Sequence, residues 1–394
     1  MRTLGVVTAA RSDYGIYLPV LRKIQADPEL RLRLIVSGMH LAPEFGLTVK
    51  AIEEDGFEIA ERVEMLVASD SPEAVAKSMG LGAIGFAQTY ARLRPDILLV
   101  LGDRFEMHAA ALAALPFKIP VAHIHGGELT EGAIDDALRH SMTKLSHLHF
   151  VTTEEYARRV VQMGEERWRV TISGAPSLDN LQAMTLLSLA ELEEKFALRF
   201  DQPPLLVTFH PVTLEYEQTE QQAEELLAAL SASNMPVLFT LPNADTGGRV
   251  IIRMVRDFVE TNASAQLVDN LGTQAYFSFM AAASAMVGNS SSGIIEAASF
   301  KLPVVNIGNR QKGRARGRNV IDVGDKREEI LDGIRKALDA DFRASLSHLA
   351  NPYGDGTAAG KIVKQLKEVT IDQRLLVKRF QDLELSSLTE NAAS

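Results

Sequence analysis

The sequence predicts an α/β fold built from two doubly wound domains, each with a parallel sheet. Short apolar runs alternate with stretches of helical spacing, which is the pattern of parallel strands connected by helices. The alternation breaks near Ser173–Asn180 and restarts near Leu205 without a sequence repeat. Acidic, imidazole and hydroxyl side chains follow several predicted strands, where open parallel sheets bind their ligands. We therefore expect two domains that face each other across a cleft.

Apolar runs and helical spacing give the order of the predicted elements. The predicted strands of the first half are Leu4–Thr8, Leu32–Val36, Glu58–Val63, Asp96–Leu101, Val121–Ile124, Leu148–Val151 and Arg169–Ile172. Those of the second half are Leu205–Phe209, Val237–Leu241, Gln266–Val268, Ala285–Val287 and Pro303–Ile307. The predicted helices are Ile16–Ile24, Pro72–Met79, Glu154–Met163, Glu220–Leu230, Gly248–Val259, Thr273–Ala282, Ile294–Ala298 and Ala358–Val369. A polar loop is expected over Ala9–Gly15.

The segment Gly80–Gly85 matches the dinucleotide-binding pattern G-x-G-x-x-G. That pattern has meaning only directly after a strand and at the start of a helix. Here the preceding residues Pro72–Met79 have helical spacing. We therefore interpret the segment as a small-residue face of a helix that packs closely against a neighbour.

Glycine and proline at Ser173-Gly174-Ala175-Pro176 mark the predicted domain boundary. We assign residues 1–178 to the first domain and 179–369 to a second, nucleotide-binding domain. The charged segment from about 370 to 385 is expected to pack back on the first domain. The small polar residues 386–394 are expected to form a disordered tail.

The amino-acid composition disfavours some classes of binding partner. The chain has 41 basic and 51 acidic residues, a net charge of −10 and no cysteine. An acidic protein without a basic run is a poor nucleic-acid binder, although placed arginines and helix N-termini can still bind an anionic metabolite. The lack of cysteine excludes disulfides and thiolate metal sites. The N-terminus lacks a signal-peptide pattern and no apolar run has the length of a membrane span, so we expect a cytoplasmic protein.

Carboxylates and histidines concentrate after two neighbouring predicted strands, between Leu101 and His140. Crowded carboxylates can act as acids or bases, and we favour this for Asp103 and Glu128 and less strongly for Asp136. The alternative is salt bridging, because Asp136 lies three residues before Arg139 on a helix. The histidines at positions 123 and 125 would share a strand face and could bind a metal with Asp103. Nearby arginines favour anion recognition instead, so no metal is expected.

The second half offers candidates for an anion site. Ser290-Ser291-Ser292-Gly293 follows a strand and starts a helix, which suits a phosphate, although serine is also an ordinary N-cap residue. Glu296 is either a ligand of ribose hydroxyls or a first-turn acid. His210 ends a strand, where a functional histidine is favoured over a structural one. The basic loop Gly308–Arg318 either holds an anion or is solvated. In the first half, Arg11 follows the first strand, and it either binds a phosphate or is a solvated loop residue.

The motifs together resemble one known family, the hydrolysing UDP-N-acetylglucosamine 2-epimerases of sialic-acid and related nonulosonic-acid pathways. The matching segments, in family order, are Thr8–Gly15, Gly102–Glu106, His123–Glu128, Ile134–His140, Gly288–Gly293 and Asn306–Arg314. The resemblance implies the GT-B architecture, in which two Rossmann-like domains hold the active site in the cleft between them. It also implies no cofactor, a UDP-sugar substrate and a homodimer or homotetramer.

The resemblance implies a two-stage reaction. A base removes the sugar C2 proton while UDP leaves C1, and water then adds to the 2-acetamidoglucal to give N-acetylmannosamine. By position, the residues implied in catalysis are Asp103, Glu128, Asp136 and His210. The residues implied in binding substrate or UDP are Arg11, His125, Arg139, Ser290, Ser291, Ser292, Gly293, Glu296, Arg310 and Arg314. Which group is the base and which the acid stays open.

One position departs from the family pattern. Many relatives have glutamate where this chain has His125, so either His125 substitutes for it or the role moves to Glu128. The sugar therefore stays open between UDP-N-acetylglucosamine, a UDP-linked 2,4-diacetamido-2,4,6-trideoxy sugar and GDP-N-acetylglucosamine. Other functions that stay open are a non-hydrolysing epimerase, a GT-B glycosyltransferase and a silent nucleotide-sugar sensor.

Overall fold

The computed structural model describes residues 1–69, 71–131, 134–212, 216–241, 248–269 and 271–382. These residues form two compact units, each with a parallel sheet covered by helices. The first unit contains Met1–Glu128, Ala137–Asp179 and residues 354–382. The second contains Leu129–Asp136 and Asn180–Tyr353. The predicted fold class, two doubly wound α/β domains, is confirmed.

Within the described ranges, the first unit has seven strands, all paired in parallel. They are β1 (Arg2–Thr8), β2 (Leu30–Ser37), β3 (Ile59–Val63), β4 (Ile97–Leu101), β5 (Val121–Ile124), β6 (Leu148–Val151) and β7 (Val170–Ile172). Their order is β3-β2-β1-β4-β5-β6-β7, so the winding direction reverses between β1 and β4. The carboxyl ends of these strands form the edge at which such sheets bind ligands.

The second unit repeats the design with six described strands. They are β8 (Leu205–Thr208), β9 (Val237–Thr240), β10 (Ala265–Val268), β11 (Ala285–Gly288), β12 (Val304–Ile307) and β13 (Val320–Val323). The order β10-β9-β8-β11-β12-β13 places the reversal between β8 and β11. Successive residues of β8 point to opposite faces, so Leu205 and Val207 join one apolar cluster and Leu206 the other.

Helices cover both sheets. Those before the second sheet are α1 (Arg11–Ala26), α2 (Val49–Glu54), α3 (Pro72–Leu93), α4 (Phe105–Ala114), α5 (Ile134–Leu145), α6 (Glu154–Gln162), α7 (Asp179–Ala183) and α8 (Leu189–Phe196). The others are α9 (Thr219–Ser233), α10 (Gly248–Thr261), α11 (Gly272–Ala282), α12 (Ser291–Ile295), α13 (Arg327–Leu338), α14 (Ala340–Ser345), α15 (Ala358–Glu368) and α16 (Gln373–Leu376). No helix in the described parts of the chain has the length and apolarity that crossing a membrane requires.

The predicted loop Ala9–Gly15 is largely wrong, because α1 already begins at Arg11. The cause is Asp13, a buried first-turn carboxylate that accepts hydrogen bonds from the backbone N–H groups of Ala9 and Ala10 and from the Thr8 hydroxyl. A side chain that satisfies the N–H groups before a helix allows the helix to begin early.

The interpretation of Gly80–Gly85 as a closely packed helical face is confirmed. The segment lies inside α3, and no strand precedes it directly. A Cβ at Gly82 would lie 2.5 Å from Met65 Cε, and one at Gly85 would lie 2.6 Å from Val63 Cγ1. The glycines therefore allow α3 to approach its neighbours.

The chain returns to the first unit at Gly354, earlier than the predicted range of about 370 to 385. The physical reason is α15, whose Ile362 and Leu366 are fully buried in the core of the first sheet. Asp179 accepts hydrogen bonds from the first two N–H groups of α15, at 2.9 and 2.8 Å. The predicted tail, residues 386–394, lies outside the described residues.

Candidate active site

Two neighbouring strands of the first unit end in left-handed turns that carry the predicted carboxylates. After β4, Gly102 has a φ of 74° and is followed by Asp103. After β5, His125 has a φ of 65° and Gly127 a φ of 77°, and Glu128 follows. A positive φ is uncommon at a residue with a Cβ, such as His125, and it costs conformational free energy.

One buried guanidinium joins these two turns. Arg139 projects from α5 with 2% of its surface exposed. Its Nη2 forms an ion pair with Asp103 Oδ2, and its Nη1 lies 3.4 Å from Glu128 Oε2. Nη1 also donates to the backbone oxygen of His125 at 2.9 Å. The structure therefore brings four predicted site residues of the first unit together.

Glu128 and His125 form a dyad within this cluster. Glu128 Oε1 lies 2.5 Å from His125 Nδ1 and accepts a hydrogen bond of 3.3 Å from the Thr152 hydroxyl. A carboxylate at Nδ1 favours the tautomer that donates from Nδ1 and leaves the lone pair on Nε2. The buried His125 Nε2 has no hydrogen-bond partner among the described residues. Such a dyad can accept or deliver a proton.

His123 has a different role from His125, although the sequence predicted a shared strand face. β5 ends at Ile124, so His125 lies beyond the strand. His123 Nε2 lies 2.7 Å from the backbone oxygen of Gly102. Burial lowers the pKa of His123 to about 3, so its ring is neutral and holds the turn before Asp103 in place. No group of three potential metal ligands occurs among the described residues.

Arg11 lies at the carboxyl end of β1, exposed at the first position of α1. Below it, the buried side chains of Thr8, Asp13 and His40 form a network, with the Thr8 hydroxyl 2.7 Å from Asp13 Oδ1 and 3.0 Å from His40 Nε2. Burial acts to raise the pKa of Asp13, but the hydrogen bonds and charge of the network hold it below its ordinary value. The network fixes the helix start that presents Arg11.

A second ion pair at this edge was not singled out from the sequence. Arg104 donates to both oxygens of Glu106, at 3.2 and 2.9 Å, and Glu106 is fully buried. Both residues stand beside Asp103 in the sequence, but only the fold shows that they neutralise each other. The pair stabilises the start of α4 directly after the Asp103 turn.

In the second unit, His210 follows β8 and is tied to the end of β11. Its backbone N–H donates to Asn289 Oδ1 at 2.7 Å, and Asn289 Nδ2 donates to the His210 oxygen at 2.8 Å. Burial and the nearby Arg310 charge lower the pKa of His210 well below its ordinary value. Neutral imidazole is therefore the resting form of this side chain.

Hydroxyl groups surround the start of α12. Ser290 is the N-cap residue and accepts a hydrogen bond from the Ser292 N–H at 3.4 Å. Burial raises the pKa of Tyr276, from α11, and the nearby hydroxyls of Ser292, Thr208 and Ser290 act to lower it. Ser291 is half-buried and Gly293 is buried, with a Cβ at Gly293 coming within 2.9 Å of Val304. Tyr276 was missed because helical spacing gives no sign that its hydroxyl reaches this turn.

Two further predicted residues of this unit lie at the same sheet edge. Arg310 donates to the Asn289 oxygen at 3.1 Å, so one member of the basic loop is anchored beside His210. Glu296 is 6% exposed and ends α12 as its C-cap residue. The structure thus brings His210, Arg310 and the serine turn to one edge.

Arg314 and Asp136 both form hydrogen bonds with Thr130, which lies in the short segment Leu129–Asp136. Arg314 is buried, and its Nε donates to the Leu129 oxygen at 2.9 Å. Its Nη2 lies 3.3 Å from the Thr130 hydroxyl, and the Thr130 N–H donates to Asp136 Oδ1 at 2.7 Å. These contacts hold the segment on the basic loop, an arrangement that the sequence did not predict.

A cavity of about 610 Å³ opens at the carboxyl ends of β8, β11, β12 and β13. Its charged lining residues are Lys312, Arg316, Asp322, Asp325 and Glu329. Arg316 is paired with Asp322, so the lining holds more carboxylate than free cation. The cavity is large enough for a small molecule, but its charge suits a diphosphate less well than the serine turn does.

Comparisons with known proteins agree with this architecture. The family model described as UDP-N-acetylglucosamine 2-epimerase matches residues 22–367. A crystal structure of UDP-GlcNAc 2-epimerase from Neisseria meningitidis, bound to UDP-GlcNAc, has a TM-score of 0.79 and 18% identity. That similarity covers 93% of this chain and 99% of that one, and it supports the predicted GT-B fold.

Curated relatives are more similar in sequence. A Campylobacter jejuni protein named GDP/UDP-N,N'-diacetylbacillosamine 2-epimerase (hydrolyzing) is 40% identical, over 97% of this chain and 99% of its own length. A Legionella pneumophila protein named UDP-N,N'-diacetylbacillosamine 2-epimerase (hydrolyzing) is 35% identical, over 96% and 99%. The chain therefore belongs to the UDP-N-acetylglucosamine 2-epimerase family and is a hydrolysing nucleotide-sugar 2-epimerase.

Proposed function

We propose that this enzyme converts a UDP-linked 2-acetamido sugar into UDP and the free sugar with inverted configuration at C2. The observation that carries the proposal is the cluster of Asp103, Glu128, His125 and Arg139 at one sheet edge. It supplies two carboxylates and an imidazole for proton transfer, together with a cation that offsets their charge.

The first stage is an elimination. A base of the first unit takes the proton from sugar C2, and the electrons of that bond form the C1–C2 double bond. The bond from C1 to the diphosphate oxygen breaks, and its electron pair leaves with UDP. In the second stage, C2 of the 2-acetamidoglucal receives a proton on the opposite face and water adds its oxygen to C1. Two faces need proton transfer, which supports roles for both Asp103 and Glu128.

The second unit is proposed to bind the leaving group. Donors at the serine turn, Ser290–Gly293, suit a diphosphate that gains negative charge as the C1–oxygen bond breaks. Arg310 of this unit is proposed to add positive charge, and Glu296 is proposed to bind the ribose hydroxyls. Arg11, which belongs to the first unit, is proposed as a further diphosphate ligand from its family position. His210 is proposed as a neutral hydrogen-bond partner, because its lowered pKa disfavours the charged ring. Asp136 is proposed as a catalytic carboxylate from its family position alone.

The two relatives with 40% and 35% identity favour a UDP-linked 2,4-diacetamido-2,4,6-trideoxyglucose as substrate, because their names give that sugar. UDP-N-acetylglucosamine is the second candidate. An Escherichia coli polysialic acid biosynthesis protein is 35% identical, and a meningococcal UDP-N-acetylglucosamine 2-epimerase is 33% identical. Both candidates share the C2 chemistry, and we propose nonulosonic-acid biosynthesis as the pathway that uses the product. The homo-oligomer and the cytoplasmic location stay predictions.

The test is product analysis by ³¹P and ¹H NMR with both UDP sugars and with GDP-N-acetylglucosamine. We expect UDP and free 2,4-diacetamido-2,4,6-trideoxymannose from the first, or UDP and N-acetylmannosamine from the second. An equilibrium of two intact nucleotide sugars would instead indicate a non-hydrolysing epimerase. Turnover that requires an added acceptor would indicate a glycosyltransferase.

A further inference from the structure

One buried side chain contacts both predicted catalytic carboxylates of the first unit. Arg139 reaches Asp103 with one guanidinium nitrogen and both Glu128 and the His125 oxygen with another. We infer that Arg139 is a positioning residue that fixes the two carboxylates relative to each other, instead of the nucleotide ligand predicted from the sequence. This inference rests on the proposed function, because it concerns the acid–base step of that reaction.

Burial separates the two possible roles. Arg139 is 2% exposed, so it has almost no surface on which a diphosphate could lie. A ligand of UDP would need its nitrogens directed to an open site, as at Arg11, which is exposed. The Arg139 nitrogens Nη1 and Nη2 are already directed to protein oxygens.

The two carboxylates differ in how substrate can reach them. The side chain of Asp103 is 20% exposed, whereas that of Glu128 is 1% exposed. Asp103 is thus the carboxylate that touches substrate, and Glu128 acts with the His125 ring behind it. Arg139 sets the position of both groups, because each accepts from the same planar guanidinium.

Hydrogen bonds hold the backbone of the Asp103 turn, and Arg139 positions its carboxylate. Gly102 has a φ of 74°, and its N–H donates to the Ile124 oxygen at 2.9 Å. His123 holds the Gly102 oxygen from one side, and Arg139 holds the Asp103 carboxylate from the other. A shift of about 1 Å in a catalytic group can reduce a rate about 100-fold, so loss of this support should lower kcat.

Lysine cannot replace arginine in this role. A guanidinium presents several donors in one rigid plane, whereas an ammonium is a point charge on a flexible stem. Lysine at position 139 would keep the positive charge but could not bridge Asp103, Glu128 and the His125 oxygen together. The charge and the bridging geometry can therefore be tested separately with Arg139→Gln and Arg139→Lys.

The experiment measures kcat, KM and UDP affinity for the wild type, Arg139→Lys and Arg139→Gln. For Arg139→Lys we expect kcat to fall about 100-fold, with KM and the Kd for UDP within about threefold of wild type. Arg139→Gln also removes the cation between two carboxylates, which disfavours their joint ionisation. For that variant, the acid limb of the kcat–pH profile should move up by about one pH unit. The titratable side chains around Arg139 include Asp103 and Glu128, which form ion pairs with it, and His123, which interacts with its charge. Its contact with His125 is to the backbone oxygen.

The matched control is Arg169→Lys. Arg169 is equally buried in the same unit, but it donates to backbone oxygens of residues 374, 375 and 377, away from the two turns. The substitution Arg169→Lys should lower the melting temperature without changing the kcat–pH profile. A position-139 variant that resembles this control in kcat and pH profile would show that Arg139 is structural only.

Other outcomes of the same measurements would overturn the inference or the proposed function. A Kd for UDP raised tenfold or more in Arg139→Lys, with kcat retained, would overturn the inference and restore the role of nucleotide ligand. The wild type is measured first with all three nucleotide sugars. If it turns over none, the proposed function has failed. If it turns over one and the Arg139 variants match it, the inference alone has failed.

Discussion

Asp103 and Glu128 are two carboxylates of one cluster with unequal access to solvent, and this inequality predicts different roles. The partly exposed Asp103 can meet the sugar, so Asp103→Asn should reduce kcat at least about 1,000-fold. The Kd for UDP should stay within about threefold, because Asp103 is not among the residues proposed to bind the diphosphate. Calorimetric titration with UDP and steady-state kinetics measure both values. Asp332→Asn, an exposed change on α13, serves as the control, and an Asp103 variant as active as that control would refute the role.

The two glycines of the site turns should respond differently to a methyl group. A Cβ at Gly127 would lie 2.6 Å from the Tyr156 oxygen, whereas a Cβ at Gly102 would contact nothing within 4 Å. Both have positive φ, so Gly102→Ala should cost about 1 kcal/mol of unfolding free energy from backbone strain alone. Gly127→Ala should cost about 2 to 4 kcal/mol, because the backbone must also move. Urea denaturation measures the difference, and equal costs would contradict the packing described.

At this scale the sequence gives the identity of the site residues but not their partners. Asp103 and Glu128 are visible because each follows an apolar run by a few residues. The pairing of Arg139 with both depends on the path of α5 across the sheet edge, which no local pattern encodes. The same holds for Tyr276, whose hydroxyl reaches the serine turn from a different helix.

At the scale of elements, the chain after α15 is held on the first sheet by a buried carboxylate. Glu165 accepts from Lys144, Lys378 and His149, at 2.6, 2.8 and 3.1 Å. Burial acts to raise the pKa of Glu165, but these three partners outweigh it and lower the pKa from 4.5 to about 2. The ionised form is therefore more stable in the folded protein than in the unfolded chain.

The lowered pKa predicts how stability depends on pH. The contribution of Glu165 is complete above about pH 4.5 and is lost as the pH falls toward 2. Glu165→Gln should lower the unfolding free energy at pH 7 by on the order of 2 kcal/mol, with a difference from wild type that narrows across that window. Thermal unfolding from pH 7 to pH 3 tests this, with the exposed Glu155→Gln as control. A difference independent of pH would contradict the account.

Most strands were predictable, because most of them contain a short, nearly continuous apolar run. β4, for example, is buried at all five positions. The exception is β13, which was not predicted. The start of α1 was missed because it depends on Asp13 bonding backward to Ala9 and Ala10. The placement of Leu129–Asp136 was missed because it depends on Arg314, which is far away in the sequence.

At the scale of the whole molecule, the C-terminal helix α15 belongs to the first unit, and this predicts where a core mutation acts. Leu366 is fully buried in the first core, so Leu366→Ala should cost about 2 to 5 kcal/mol there. Amide hydrogen exchange should accelerate in β1 and β4, with β8 and β11 little affected. Val305→Ala, in the core of the second sheet, should give the reverse pattern. Faster exchange confined to β8 and β11 in Leu366→Ala would contradict this assignment of α15.

The two-domain fold class was predictable as a whole, since alternating strands and helices restart after a Gly-Pro break. The exact division of the chain between the two units was not predictable, because the packing of α15 on the first core depends on three-dimensional complementarity. The enzyme class, a hydrolysing nucleotide-sugar 2-epimerase, was predictable from the family motifs, whereas the sugar was not. Sugar specificity depends on side chains around C4 and C6, which no motif of the sequence identifies.

The most direct test of the central claim is a turnover in D₂O with a UDP-linked 2-acetamido sugar, analysed by NMR and mass spectrometry. Elimination followed by hydration predicts free sugar with one deuterium at C2, inverted configuration there, and one UDP released per sugar. Asp103→Asn under the same conditions should give neither product nor deuterium exchange. Free sugar that retains hydrogen at C2 would contradict the account, because it would mean that the C1–oxygen bond is hydrolysed without proton abstraction.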